Sequence, residues 1–156
     1  MKINYIIIPL ITILVALAGS LLTGWGMAWY HNLNLMSWTP SGMLIGIVWT
    51  ILFILSTISV LIVYNQKDHN GDAIFWLTMI LFAINAALNI KWSFLFFTLH
   101  LLSLAVIEAF ILGLSVVALI LLIWPRSKLA AILLIPYAAW VFFATYLTYS
   151  IWLLNK

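Results

Sequence analysis

The sequence predicts an all-α integral membrane protein, a single domain of residues 1–156 that folds as a bundle of five transmembrane helices. Hydrophobic residues make up 67% of the chain and charged residues 6%, whereas a soluble domain carries about 25% charged residues. Five apolar segments each approach the roughly 20 residues that a helix needs to cross a bilayer. Each segment is a continuous apolar run without the alternation of a barrel strand, and this pattern predicts helices.

The predicted helices are joined by short connections, except for one longer loop between the first and the second. We place the helices at about 5–24, 43–64, 73–97, 101–124 and 129–153, and the loop at 25–42. The loop has no formal charge but several large aromatic side chains, which are Trp25, Trp29, Tyr30 and Trp38. A solvated linker would not carry them, so we expect a lid over the helix ends or a segment in the membrane interface.

The positive charges predict an orientation in the membrane. Lys and Arg accumulate on the cytoplasmic side of membrane proteins, and five spans put the two termini on opposite sides. One side carries Lys2, Lys67, Arg126 and Lys128, and the other carries Lys91 and Lys156. This bias favours a cytoplasmic N-terminus.

Composition argues against several classes of function. Without cysteine, the chain has no disulfide, no thiolate nucleophile and no Cys-bound metal. The net charge of +3 is scattered, and no basic cluster indicates nucleic-acid binding. No phosphate-binding loop, dinucleotide fingerprint, catalytic triad or carboxylate pair is visible. His31, His69 and His100 lie far apart, in or near connections, and so we expect no metal site.

The first apolar segment follows Lys2 and superficially resembles a signal peptide, but no small-residue cleavage site closes it. We interpret it as the first transmembrane helix. Its small residues Ala16, Gly19, Ser20 and Gly24 stand near helical spacing and allow close helix approach. Plain helix packing is the simpler interpretation, and a thin wall beside a ligand is the alternative.

Three other segments carry stripes of aromatic, amide and small side chains at helical spacing. They are Trp49, Phe53 and Ser56 on the second helix, Asn85, Asn89 and Trp92 on the third, and Tyr137, Trp140, Ala144 and Leu147 on the fifth. Stripes facing lipid have no need of such shapes, whereas the wall of a cavity does. Together they predict a pocket under the lid for a large, flat, mostly apolar molecule with polar edges. The alternatives are an interfacial aromatic belt and hydrogen bonding of the two amides between helices.

Glu108 is the only acid inside a predicted span. An ionisable group within the membrane is a functional candidate, and a proton relay is one interpretation. If the chain turns near 98–100, Lys91 and Glu108 lie at similar depth on neighbouring antiparallel helices. We therefore expect them to form an ion pair.

Three ordered motifs extend from the lid to the C-terminus. They are Trp38-Thr39-Pro40-Ser41-Gly42 followed by Val48-Trp49-Thr50, the run from Asn85 through Asn89 and Trp92 to Phe96-Phe97, and the run from Pro136-Tyr137 through Trp140, Phe143-Ala144-Thr145-Tyr146-Leu147 and Ile151-Trp152 to Asn155. With these motifs the chain resembles the tryptophan-rich sensory protein family, also called the translocator protein or peripheral-type benzodiazepine receptor family, over nearly its whole length.

The resemblance implies a five-helix bundle in a bacterial cell membrane, usually a homodimer, with a ligand pocket under the first loop. Members bind protoporphyrin IX, haem, cholesterol and isoquinoline-carboxamide ligands without a required cofactor, and some bacterial members degrade protoporphyrin in light. By motif match, Trp49 and Trp140 would carry that chemistry. The predicted ligand-binding residues are Ser20, Trp38, Trp49, Phe53, Asn85, Asn89, Trp92, Tyr137, Trp140, Ala144 and Leu147.

The chain departs from the family pattern at several positions. Ser41 replaces the second of two prolines, Glu108 replaces an Asp, and Thr148 replaces an Asn. Tyr149 has no Lys or Arg within about five residues after it, so the sequence does not predict high-affinity cholesterol binding.

Three functions stay open at this point. The leading hypothesis is a tetrapyrrole-binding membrane protein with light-dependent porphyrin breakdown. The alternatives are a transporter or sensor of lipid, sterol or porphyrin without chemistry, and a structural partner in a membrane complex.

Overall fold

A computed structural model describes residues 3–66 and 72–156, and within these ranges the chain forms five long α-helices and no strand. The helices are α1 (Asn4–Tyr30), α2 (Gly42–Tyr64), α3 (Ala73–Ser93), α4 (Leu102–Ile123) and α5 (Lys128–Leu154). All five are long and apolar enough to cross a membrane, which confirms the predicted fold class. Lys2, Lys67 and His69 lie outside the described residues.

The helix α1 is longer than the sequence predicted. It continues to Tyr30, so the loop predicted at 25–42 is a shorter lid of residues 31–41. The extra turns pack on the end of α3, which closes with a π-helical turn at Phe94–Thr98. A side-chain carbon at Gly26 would lie 2.3 Å from the Phe97 carbonyl oxygen, so only glycine allows this approach. Packing of this kind stabilises helical turns beyond what local propensity supports.

Polar side chains cap the N-termini of three helices. Ser41 Oγ accepts a hydrogen bond from the Leu44 N–H at 3.3 Å, at the start of α2. Asp72 caps α3, and Ser127 Oγ accepts from the Ala130 N–H at 3.2 Å at the start of α5. Asp and Ser are favoured at this position because they accept from N–H groups that have no partner within the helix.

The helices α4 and α5 form the centre of the bundle, and α1 lies at its outside. The main core cluster joins α2, α3, α4 and α5 through side chains such as Leu52, Phe75, Val116 and Leu134. A second cluster, which includes Phe96 and Leu147, closes the end of the bundle next to the lid. Of the described α1 residues, only Asn4 and Gly26 are buried, as expected for a helix largely surrounded by lipid.

The connection from α3 to α4 is held to the end of α1. His100 adopts a positive φ of 57°, a conformation uncommon for residues other than glycine. Its ring stacks on the indole of Trp29, with centroids 3.9 Å apart and planes inclined by 16°. The stack fixes the end of α1 against this connection beside the lid.

The predicted ion pair between Lys91 and Glu108 does not form. Lys91 is exposed, and neither carboxylate oxygen of the buried Glu108 has a hydrogen-bond partner among the described residues. The cause is helical rotation, because Lys91 stands about 200° around α3 from the buried Asn89 and so points outward. In the part of the chain that the structure describes, the one ion pair joins Asp72 to Arg126.

This Asp72–Arg126 pair lies outside the membrane spans, at the end of the bundle opposite the lid. Arg126 binds both carboxylate oxygens of Asp72, with Nη2 donating to Oδ1 at 2.7 Å. The Arg126 hydrogen bond and the backbone N–H of Phe75 lower the pKa of Asp72 from 3.8 to about 2. The pair ties the start of α3 to the turn between α4 and α5.

Candidate functional site

A cavity of about 570 Å³ opens inside the lid end of the bundle, between α1, α2, α3 and α5. We call it the loop-side cavity. Three tryptophans from three helices line it: Trp49 of α2, Trp92 of α3 and Trp140 of α5. Its other aromatic lining residues are Tyr30, Phe53, Phe96, Phe97 and Phe143.

Each of the three indoles contacts a phenylalanine on its own helix. The ring centroids are 5.7 Å apart for Trp49 and Phe53, 5.2 Å for Trp92 and Phe96, and 5.3 Å for Trp140 and Phe143. The partners stand three or four residues apart, the spacing at which side chains meet on a helix. Aromatic pairs at these distances attract one another, so the walls of the cavity are set before any ligand binds.

Small side chains provide the space between the aromatic walls. Ala16, Gly19 and Ser20 line the cavity from α1, Gly46 from α2 and Ala144 from α5. Three of the four small residues of α1 therefore form a cavity wall, which was the alternative to plain packing, and Gly24 lines neither cavity. A carbon added at Gly19 would stand 3.6 Å from Ser93 Oγ, an ordinary van der Waals contact, so alanine would fit at this position without strain.

A second cavity of about 340 Å³ lies at the opposite end of the bundle, and we call it the distal cavity. Residues of α1, α2 and α3 form most of its lining, together with Tyr137 of α5. Phe53 and Asn89 line both cavities and stand between them.

The predicted site residues divide between these two cavities. The loop-side cavity is lined by Ser20, Trp49, Phe53, Asn89, Trp92, Trp140, Ala144 and Leu147. Asn85 and Tyr137 line the distal cavity instead, although each belongs to a stripe that also reaches the loop-side cavity. Each stripe runs along one face of its helix, so some of its residues line one cavity and others line the other.

Trp38 lines neither of the two cavities. Its indole stacks on Tyr146, with centroids 5.7 Å apart and planes inclined by 12°, and it contacts Phe143 at 6.2 Å. Phe143 lines the loop-side cavity, so Trp38 packs against a lining residue from the outside of the bundle. Its exposure of 45% agrees with a position on the outside of the bundle.

A hydrogen-bonded chain joins the buried polar side chains of α3, α4 and α5. Asn89 Nδ2 donates to Tyr137 Oη at 3.3 Å, and Tyr137 Oη donates to Asn85 Oδ1 at 3.0 Å. Asn85 Nδ2 donates to Ser115 Oγ at 2.8 Å, and Ser115 donates to the Leu112 carbonyl at 2.7 Å. Asn85 is thus occupied by contacts between helices. The amide oxygen of Asn89 accepts no hydrogen bond from a described residue, and Asn89 borders both cavities.

The lid is fastened to the end of α5. The Asn34 N–H donates to Asn155 Oδ1 at 2.9 Å, and Asn155 Nδ2 donates back to the Asn34 carbonyl at 3.0 Å. The Trp38–Tyr146 stack makes a second attachment, about two and a half turns deeper along α5. The lid therefore rests on α5 through one side-chain latch and one aromatic stack.

The polar groups at the loop-side cavity are suited to donating hydrogen bonds to acceptor groups of a ligand, and less suited to transferring protons. The indole N–H groups of Trp92 and Trp140 are buried and have no acceptor among the described residues. A buried donor without a partner costs free energy, which a ligand carbonyl or carboxylate would recover. Within residues 3–66 and 72–156, no group of three or more His, Asp or Glu side chains is arranged to hold a metal ion.

Several lining residues were missed in the sequence, notably Met27 and Tyr30 of α1. The sequence places them in the loop, because the predicted first helix ends at residue 24. A periodic pattern could have found them, since Ala16, Ser20 and Thr23 lead to Met27 and Tyr30 in alternating steps of four and three residues.

Comparison with known proteins places these features in a family. The model of the TspO/MBR family matches residues 7–153. Tryptophan-rich protein TspO of Bacillus cereus is 36% identical over 155 residues, which cover 99% of each chain. Protein CrtK of Rhodobacter capsulatus is 35% identical over 128 residues, 82% of this chain and 79% of that protein. Human Translocator protein is 29% identical over 129 residues, 83% of this chain and 76% of that protein.

Proposed function

Because this chain belongs to the TspO/MBR family, we propose that it binds tetrapyrroles such as protoporphyrin IX or haem in the loop-side cavity. One observation carries the proposal: three tryptophans from three helices surround a single cavity of about 570 Å³. Indoles on several sides suit a flat, apolar ring, because aromatic faces stack well and bury large areas. The same walls would accept other flat ligands, including isoquinoline carboxamides.

The polar edges of such a ligand have partners at the same cavity. Trp92 and Trp140 offer indole N–H donors that lack an acceptor among the described residues. Asn89 offers an amide oxygen at the inner boundary. Propionate groups or a carboxamide carbonyl could accept from the indoles, so binding would remove a cost that the free protein carries.

Light-dependent porphyrin degradation forms part of the proposal. An excited porphyrin can take one electron from a nearby indole, which leaves an indole radical cation and a reduced porphyrin. Dioxygen then adds to the reduced ring, and the adduct returns one electron to the indole radical cation. The net change is addition of O2 to the porphyrin, and the indole is restored. Trp49 and Trp140 serve as the electron donors here, since their rings line the cavity from opposing helices, α2 and α5.

The experiment is a titration of the purified protein with protoporphyrin IX in the dark, followed by illumination in air. Dark binding should quench tryptophan fluorescence. Trp49→Phe and Trp140→Phe should slow the loss of porphyrin absorbance while retaining most of the dark affinity. Trp76→Phe is the matched control, because Trp76 is 56% exposed and borders the distal cavity. Absence of quenching would refute binding, and unchanged product formation in the double variant would refute the chemistry.

A second candidate function is a transporter or sensor of porphyrin, lipid or sterol without chemical change. The latch favours it, because a single side chain, Asn155, makes both hydrogen bonds that hold Asn34 of the lid. Opening of the lid would break this latch and the Trp38–Tyr146 stack, and both could form again after a ligand has passed. Movement of unaltered porphyrin between vesicles in darkness would distinguish this function.

In the proposed arrangement the protein lies in a bacterial cell membrane as a homodimer, with its N-terminus in the cytoplasm. Arg126 and Lys128 lie at the end of the bundle where α1 begins, in agreement with that orientation. The exposed small residues Ala83 and Ala87 of α3 would allow two copies to pack closely.

A further inference from the structure

The distal cavity has a different wall from the loop-side cavity. The α1 side is made of branched aliphatic residues, namely Ile3, Ile7, Ile8, Ile11 and Val15, and Val60 and Met79 continue it from α2 and α3. Of the tryptophans, Trp76 alone lines the described part of this cavity, against three in the other. Phe53, Tyr64, Phe82 and Tyr137 also line the cavity, from helices other than α1. The α1 wall itself is uneven and offers no flat face on which a planar ring could stack, but it suits a flexible hydrocarbon chain.

Polar groups stand at the two ends of the distal cavity, and two hydroxyls, those of Thr12 and Ser56, also line it. The Thr12 hydroxyl is hydrogen-bonded to the Ile8 carbonyl and to Thr57. The inner end meets the chain of Asn85, Asn89 and Tyr137. At the outer end Asn4, which is buried, donates from Nδ2 to Asn65 Oδ1 at 2.9 Å. The outer end lies at the level where α1 begins and α2 ends, which is where the polar head of a membrane amphiphile resides.

A layer of side chains separates the two cavities. Phe53 and Asn89 line both. The Trp49 ring meets Phe53 with centroids 5.7 Å apart and the edge of Tyr137 at 6.0 Å. These contacts close the space between α2 and α5, and Phe53 is the member of the layer that faces both sides.

We propose that the distal cavity is a second ligand site, which takes one acyl chain with its polar head at Asn4 and its far end against Phe53. The surrounding bilayer supplies such chains at high concentration. Around the distal cavity α1 buries only Asn4 among its described residues, so the cavity lies directly beside lipid. A chain that fills it gains contacts that an empty apolar cavity lacks.

The test uses a palmitic acid analogue with a mid-chain diazirine, added to the protein in phosphatidylcholine nanodiscs without porphyrin. Irradiation followed by peptide mass spectrometry should find labels at Val15, Val60 and Met79. Ala86→Phe fills the distal cavity and should abolish labelling there. Leu114→Phe on α4 is the control, since Leu114 is exposed and lines neither cavity.

Two results overturn the proposal: no label at these three residues in the wild type, or equal labelling there in all three proteins. Ile54 and Leu77 face outward, and their labelling reports access from bulk lipid. It should be the same in the wild type and in both variants. A phosphatidylcholine that carries the same diazirine chain distinguishes the source. Labelling by this lipid assigns the chain to intact phospholipid, and labelling by the free acid alone assigns it to fatty acid.

The role of Phe53 has its own test, which depends on the proposed porphyrin binding and is separate from acyl labelling. Protoporphyrin IX should leave labelling of Val60 and Met79 unchanged in the wild type. In Phe53→Ala the cavities merge, and protoporphyrin IX should reduce that labelling, whereas Ile54→Ala should behave as the wild type. Reduction in the wild type, or none in Phe53→Ala while porphyrin still binds, would overturn the separating role.

Discussion

Tyr137 and Asn85 are joined by a hydrogen bond of 3.0 Å inside the membrane span, from the phenol of α5 to the amide oxygen of α3. The same phenol accepts from Asn89 at 3.3 Å, so one hydroxyl connects both amides of the stripe. Tyr137 and Asn85 thereby become part of the framework between the two cavities. Neither lines the loop-side cavity in which the sequence placed both.

We expect Tyr137→Phe to destabilise the protein. It leaves Asn85 Oδ1 and Asn89 Nδ2 without their partner, at a cost of about 1–3 kcal/mol. Thermal unfolding in detergent micelles measures the change. Tyr5→Phe is the control, because Tyr5 is 49% exposed and should be nearly neutral. Equal unfolding temperatures for the two variants would contradict the framework role.

Asn155→Ala should loosen the lid. Both hydrogen bonds to Asn34 depend on Asn155, and each contributes about 0.5–1.5 kcal/mol. The Asn34 amide should exchange its hydrogen faster, and a ligand in the loop-side cavity should dissociate faster. Asn32→Ala is the control, since the Asn32 side chain donates only a local hydrogen bond, to the Ala28 carbonyl at 2.9 Å. Unchanged exchange at Asn34 in Asn155→Ala would show that the lid is held elsewhere.

Gly26→Ala and Gly24→Ala should have opposite effects although they lie two residues apart. At Gly26 the new methyl group would stand 2.3 Å from the Phe97 carbonyl, and such overpacking costs about 1–3 kcal/mol. At Gly24 the new methyl group would have no atom within 4 Å beyond the adjacent residues and backbone of its own helix, so Ala should stabilise α1 by about 0.5–1 kcal/mol. Unfolding temperatures of the two variants compare them directly. A stabilised Gly26→Ala protein would contradict the close approach of α1 to Phe97.

Acid should weaken the Asp72–Arg126 pair. The pKa of Asp72 is about 2 in the folded protein, below its usual 3.8. Its contribution to stability is therefore complete above pH 3.8 and is lost as the pH falls through about 2. Over this interval the unfolding temperature of the wild type should fall more than that of Asp72→Asn. Parallel curves would mean that the pair contributes nothing.

The length of the apolar runs and the helical period were sufficient to predict the architecture. A run of about 20 apolar residues has one stable solution in lipid, because every backbone N–H and C=O must bond within the segment. The same period placed Trp49, Trp92 and Trp140 on stripes, and these three residues meet at one cavity. Both inferences depend on interactions within a single helix, which local sequence specifies.

Contacts between helices required the tertiary structure. The end of α1 depends on Gly26 meeting Phe97, residues separated by two transmembrane helices in sequence. Lys91 is exposed and forms no ion pair with Glu108, because rotation of α3 about its axis, and not depth alone, decides which side chains face each other. The stripes also did not predict that Phe53 and Asn89 separate two cavities. The depth of this boundary depends on the contact between Trp49 of α2 and Tyr137 of α5. The sequence by itself determined five membrane-spanning helices and the faces that point inward, because these follow from hydrophobicity and helical geometry. Tertiary packing alone decided that those faces enclose two cavities, because side chains from different helices must meet to separate them.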